Sequence, residues 1–372
     1  MLAAWQMTAF IDTITFLFTY MFRKAVFITL ALFSTIAINA AEPADSAVTA
    51  TTKTITIPSQ YVPTFHGTFR GFFEQSTTGG GSRFMVRNAR FSAQGKVLPI
   101  AEYFFQLDLC DKGKLTILDA YVGVTPFKNF KVIAGQGRVP FSIGASRVPA
   151  HYHFANRPSV CKMFGNLRNV GVKVGYTIPK TNLYIEGGAF NGTNMTDHTG
   201  WNRSLTYAVK TNYKVGDFLP QLCFMSRLPG GDGVRINQAD ASLTFENSAW
   251  FIEAEYCYRT YTGNSFKASH GYNFEIDYGF PVKSKIVNRW SFQGRFDGIT
   301  DASNGLRGPE GVLVDNYYAH NRVTIGTTAS YVKGRLHCDL RLNYEQYFYS
   351  HGRKAKSPSD DNKLVTALVL YF

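Results

Sequence analysis

From Phe65 to the end of the sequence, short segments alternate apolar and polar residues, and after residue 41 no run of about 18 apolar residues occurs that could span a membrane as a helix. Leu205, Tyr207, Val209, Thr211, Tyr213 and Val215 interleave with Thr206, Ala208, Lys210, Asn212 and Lys214. Trp250, Ile252, Ala254, Tyr256 and Tyr258 interleave with Phe251, Glu253, Glu255, Cys257 and Arg259. Tyr272, Phe274, Ile276, Tyr278 and Phe280 oppose Asn273, Glu275, Asp277 and Gly279, and Leu336 to Tyr344 repeats the pattern. A period of two puts these sets on opposite faces of an extended strand, so the strands divide an apolar surface from a charged one.

Composition says which surfaces these are. Aromatic residues make up 15% of the chain, with 21 Tyr, 31 Phe and 33 Gly, yet the mean hydropathy is only −0.12. This suits strands with one face in lipid and the other in water. Only helices and closed barrels satisfy their backbone groups in hydrocarbon. The chain is therefore expected to be all-β, a transmembrane antiparallel β-barrel.

About 16 such segments begin near residues 65, 83, 101, 115, 130, 169, 182, 205, 219, 236, 250, 270, 288, 321, 335 and 362, an even number as bacterial barrels require. Short turns follow the even strands: Val97-Leu98-Pro99, Pro126 to Asn129, Pro179-Lys180, Gly216-Asp217, Asn247-Ser248 and Lys333-Gly334, with Pro281 to Val287 somewhat longer. Long loops mostly follow odd strands: Phe141 to Arg168, Asn191 to Ser204, Gly298 to His320 and Gln346 to Asp361. Short periplasmic turns opposite long outer loops are a barrel signature, and a barrel of this size leaves an aqueous lumen. The last segment, Leu364 to Phe372, ends on an aromatic, as a strand does where the barrel insertion machinery engages it.

Ahead of the barrel, Arg23-Lys24, the apolar run Ala25 to Ile38 and the small residues Ala40-Ala41 read as a secretory signal. The expected organisation is an upstream extension over 1–20, a signal peptide over 21–41, a flexible Thr/Ala-rich leader over 42–62 and the barrel over 63–372. One or two membrane helices over 1–40 are the alternative. Cys110, Cys161, Cys223, Cys257 and Cys338 lack CxxC spacing, so neither a metal site nor a cofactor is expected. Cys110 and Cys161 fall in expected loops and could pair; two small buried hydrophobes are the other reading.

Between Arg138 and Arg168 stand Arg138, Arg147, Arg157, Lys162 and Arg168, with His151 and His153, and no carboxylate. Folded into the lumen, this loop would set fixed positive charge at the narrowest point, where guanidinium groups select anions such as phosphate. A solvated outer loop binding lipopolysaccharide phosphates is the competing reading. Strand positions expected to face the pore add Arg70, Arg90, Lys173, Lys210, Lys214, Arg295, Arg322, Arg335 and Arg341. Opposing them are Glu74, Asp119, Asp240, Glu253, Glu255, Glu275, Asp277 and Asp297, the acids gathering on strands ten to thirteen. The formal charge of the whole chain is +13. Arg87 fits neither face, since Met85, Ala89 and Phe91 are expected outward, where a base would cost about 2–4 kcal/mol at mid-membrane; a subunit contact would resolve it.

Four pieces, Phe84 to Phe91, Asp119-Ala120-Tyr121-Val122, Gly135-Gln136-Gly137-Arg138-Val139-Pro140-Phe141-Ser142 and Arg168-Asn169-Val170-Gly171-Val172, make the stretch Phe65 to Val174 resemble the phosphate-selective porin O and P family. The resemblance implies a 16-stranded homotrimeric channel of the outer membrane, with basic residues guiding anions past an inward-folded third loop. It assigns Arg138 to the basic position before the Pro-Phe step, Asp119 to a strand-four carboxylate near the binding site, and Arg87 and Arg90 to second-strand arginines. Two departures bear on phosphate: Asn88 stands where the family has the second of two tandem arginines, and no row of closely spaced arginines occurs.

A passive, anion-leaning channel is thus the leading expectation. A carbohydrate or general pore would use an aromatic track, for which Phe72, Phe104, Tyr184, Phe190, Phe251 and Phe348 are candidates. A barrel enzyme would need a nucleophile or acid-base constellation; Asp197-His198 and Ser350-His351 belong to no such motif, and no catalytic residue is assigned. An adhesin would give its loops more of the mass. Outer-membrane lipid, lipopolysaccharide and small anions are the expected partners, and nucleic acid is not.

Overall fold

The computed structural model describes Pro58 and residues 61–372 apart from 112, 165–166, 193–194, 196 and 231–232. The expected segments 1–20, 21–41 and 42–62 lie outside the described residues but for Pro58, Tyr61 and Val62. Sixteen strands follow: β1 (Thr64–Ser76), β2 (Ser82–Leu98), β3 (Ala101–Asp111), β4 (Lys114–Phe127), β5 (Phe130–Arg138), β6 (Arg168–Thr177), β7 (Leu183–Phe190), β8 (Thr206–Tyr213), β9 (Phe218–Arg227), β10 (Ile236–Glu246), β11 (Trp250–Tyr261), β12 (Ser269–Pro281), β13 (Arg289–Ile299), β14 (His320–Lys333), β15 (Leu336–Tyr349) and β16 (Lys363–Tyr371). Each starts within one residue of its expected place. Consecutive strands neighbour one another around a closed barrel, and β16 closes it by pairing antiparallel with β1 from Thr68↔Tyr371 to Ser76↔Lys363. The unit that carries this wall is Thr64–Gln94 with Tyr103–Phe372, while Gly95–Glu102, with the turn Pro99-Ile100, falls in a second unit.

Burial is inverted relative to a soluble protein. On β11, Glu253, Glu255 and Arg259 are buried while Trp250, Tyr256 and Tyr258 are exposed; on β12, Glu275 and Asp277 are buried while Phe274 and Tyr278 are exposed. A wall that turns rings outward and charges inward suits lipid outside and water or polar chain inside.

The long loops fall after odd strands as expected, but the β1–β2 connection, 77–81, is no longer than the β6–β7 turn, 178–182. The β3–β4 connection, 112–113, is as short as a turn although it follows an odd strand, because β3 runs on through Cys110 to Asp111. Cys110 therefore lies in a strand, not a loop. It does not pair with Cys161: all five cysteines are free. Lys214 and Arg335, expected on the inner face, lie beyond β8 and ahead of β15 in turns and are exposed.

The second strand also departs from strict alternation. Arg70 opposes Asn88 but Gly71 opposes Val86, so Arg87 is an extra, bulged residue. The bulge shifts the phase: Phe84 and Val86 are exposed, and Met85, expected outward, packs against the buried Phe72 cluster. Arg87 itself is exposed. At the seam, Gly67 and Phe372 exchange backbone hydrogen bonds of 3.3 and 3.2 Å, and the Phe372 ring covers Gly67.

Candidate functional site

The third loop, 139–167, leaves β5 and returns to β6 with its base closed by Val139 N donating to Leu167 O at 2.7 Å. It contains two short helical turns, α1 (Ile143–Ser146) and α2 (Val160–Phe164). Ser142, at φ 57°, caps α1 by accepting from Ala145 N at 3.1 Å. Phe141, Val160, Met163 and Phe164 are fully buried and form an apolar cluster with Met225 and Cys257 of β9 and β11.

The loop's polar groups meet the charged strand faces one by one. Ser142 Oγ and Gly144 N both donate to Glu255 Oε1, the second at 3.3 Å. Arg147 donates to Glu253 and, at 3.2 Å, to Glu275. His153 Nδ1 lies 3.1 Å from Asp277, and its ring stacks on Phe251 at 3.8 Å. Ala155 N donates to Asn343 at 2.7 Å, Asn156 to Glu345 at 2.9 Å, and Ser159 N to Asp297. In return Arg322 donates to Arg157 O at 2.7 Å, Arg341 to Ala150 O at 3.0 Å, and Arg70 to Ala155 O. Burial disfavours the Arg147 charge, but Glu253 and Glu275 outweigh it and hold the guanidinium above its ordinary value. Burial lowers Lys162, which bonds to Asp360 in the loop after β15.

The expected site residues thus divide by partner. Arg168 pairs with Asp119 at 3.0 Å, and Arg90 with Asp108 at 2.9 Å. Lys173 and Lys210 share Glu186 at 2.8 and 3.0 Å. Arg295 pairs with Asp297 at 3.4 Å and lies over the Phe154 ring at 4.3 Å. Arg70, Arg138 and Arg157 have no carboxylate partner among the described residues: Arg70 donates to Asn88 at 2.9 Å and Arg138 to Ala145 O at 3.1 Å. Arg70 and Arg157 each lie 5.4 Å from the Tyr152 ring. Sequence reasoning missed Tyr152, which no periodicity marks in a loop. It also missed Asp108 and Glu186, although register sets Glu186 opposite Lys210 and diagonal to Lys173.

Of the aromatic candidates, Phe104 and Tyr184 are half-buried, with Phe104 stacked on Tyr121 at 5.3 Å. Phe72, Phe190 and Phe251 are buried in packed clusters or under His153, and Phe348 faces outward.

Residues 63–215 match the phosphate-selective porin O and P family. The match takes in β1 to β8, both ends of the third loop, Asp119, Arg138 and Arg168. Solved outer-membrane protein structures cover nearly the whole barrel: the anion-selective porin from Comamonas acidovorans at 10% identity, TM-score 0.58, with 83% of this chain and 98% of that one; the outer membrane channel DcaP of Acinetobacter baumannii at 13%, 0.55, 86% and 99%; and the trimer form of OmpT, an outer membrane protein of Vibrio cholerae, at 10%, 0.55, 84% and 98%. At such identities the likeness is one of fold. No curated protein sequence matches the chain. Family match over 63–215 and barrel fold together indicate a bacterial outer-membrane β-barrel protein.

Proposed function

We propose that the porin is a passive channel for small hydrophilic solutes, anion-leaning and phosphate-binding, narrowed by the third loop folded into its lumen. One observation carries the reading. A loop tethered at β5 and β6 bonds to the charged faces of β1 and of β11 to β15, and the face these strands share is the inside of the ring.

Charge then leans one way. The loop brings cations and no carboxylate, and its donors engage the acids of β11 to β13. Among the described residues Arg70, Arg138 and Arg157, beside the loop, are without a carboxylate, as are Arg227 and Arg259 of β9 and β11. Guanidinium groups present paired donors to oxyanions, and rings of them favour anions over cations. The Comamonas porin of the same fold is described as anion-selective. A homotrimer suits both the trimeric OmpT and the exposed Arg87, which a neighbouring subunit would shield from lipid. Phe372 at the seam is the contact offered to the insertion machinery, and the outer loops offer bases to lipopolysaccharide.

The zero-current potential of the refolded protein in a planar bilayer, under a potassium chloride gradient and then with added phosphate, tests the reading. Anion preference with phosphate block is expected, and R70Q and R157Q should each weaken both. Cation preference, or indifference to phosphate, would leave a general or carbohydrate porin.

A further inference from the structure

We infer that Asp240 and Glu255 bind a divalent cation of the calcium class beneath the third loop. Asp240 opposes Cys257 across the β10–β11 pair and Ser242 opposes Glu255, so the two carboxylates are diagonal neighbours on one face. Asp240 is 3% exposed and Glu255 2%. Neither oxygen of Asp240 meets a donor, nor does Oε2 of Glu255. Arg147 is engaged instead by Glu253 and Glu275.

Two adjacent buried carboxylates without a cation are strongly unfavourable, and elsewhere on this wall the acids are matched. Glu253, Glu275, Asp277, Asp297 and Glu345 each hold a basic partner.

Neutral oxygen donors surround the pair. Asn273 opposes Glu255 across the β11–β12 pair, is 3% exposed, and has neither amide atom partnered. Gln238, 1% exposed, turns its Nε2 to Cys257 Sγ at 3.9 Å and leaves Oε1 without a donor. A β-carbon at Gly144 would come within 2.7 Å of Glu255 Oε2, so glycine there keeps that oxygen clear. Two carboxylates and amide oxygens form a hard set that suits calcium. No three His, Cys, Asp or Glu side chains converge among the described residues, so amide oxygens and water complete the shell. Because Glu255 Oε1 also accepts from Ser142 and Gly144, the ion would fasten the start of the third loop to β10 and β11.

The test is calorimetric titration of calcium chloride into the EDTA-stripped, refolded full chain, with magnesium and zinc in parallel. One saturable calcium site per chain is expected. It should weaken at least tenfold in both D240N and E255Q, which keep side-chain shape, and persist in E246Q, which removes an exposed carboxylate. G144A, by crowding Oε2, should weaken it while leaving both acids in place. Absence of saturable calcium binding, as when the two acids share a proton, would overturn the inference. So would binding in D240N and E255Q as tight as in the unchanged protein, or binding of zinc alone. The readout is a binding heat, so it stands apart from ion selectivity.

Discussion

At the scale of single residues, Gly67 has a local purpose. A β-carbon there would come within 2.5 Å of the Phe372 ring, whereas one at Gly71 would come no nearer than 3.1 Å to Phe69. Overpacking of this kind typically costs about 1–3 kcal/mol. G67V is therefore expected to lower the urea midpoint of the folded barrel by more than G71V does, and equal effects would mean the Phe372 ring simply turns aside. At Gly67 the covering group comes from the same chain. Arg87 shows the matching limit of sequence reading. Counting by twos straight through β2 assigns Met85 and Arg87 to the same outward face, and the bulge that separates them depends on where β1 pairs, which no local pattern records.

Loops show a similar division at the scale of elements. The starts of all sixteen strands are legible because turns and alternation are local, as are the two ends of the third loop. What the loop rests on is not: Arg147 reaches Glu253 and Glu275, more than a hundred positions away. R147A would leave Glu253 buried and unmatched and Glu275 with Arg295 alone, at 3.6 Å, a loss of about 3–5 kcal/mol for a broken buried pair. R147A/E253Q/E275Q should recover part of it, with urea midpoints and single-channel noise as the measures. Full additivity of the three changes would mean the seat is not one network. A second clamp holds the outer loops. Asp301 takes Lys267 at 2.7 Å, Arg353 at 2.8 Å and Ala319 N at 2.8 Å. Burial pushes its carboxyl up, but the bonds from Lys267 and Ala319 and the charges of Lys267 and Arg353 outweigh it and hold the group below its ordinary range. A depressed carboxylate stabilises above its unfolded pKa, about 3.9, and that contribution is lost as pH falls through the folded value. Pepsin should thus begin to cut the loops over 262–268, 300–319 and 350–362 only in that acid window. D301N should open them to trypsin at neutral pH, and uncut loops in D301N would show that the clamp is dispensable.

For the molecule as a whole, the inverted faces and the even strand count follow from composition and period, so fold and compartment were open to reasoning from sequence. The distribution of charge was not. Bases and acids can be counted along the chain, yet only the closed ring decides which of them meet. The closure itself has a temporal consequence. Thr68 pairs with Tyr371, so the two strands that complete the ring are separated by nearly the whole barrel sequence. Every other neighbouring pair can zip as a hairpin, but this one must wait for all sixteen strands to gather, and bringing such remote segments together is slow. Until then β1 and β16 are open edges with unpaired backbone groups, the kind that recruit strands from other chains. An unfinished barrel is therefore sticky along two lines that the finished one abolishes, and escorts that keep these edges apart would matter more to its yield than any interior contact.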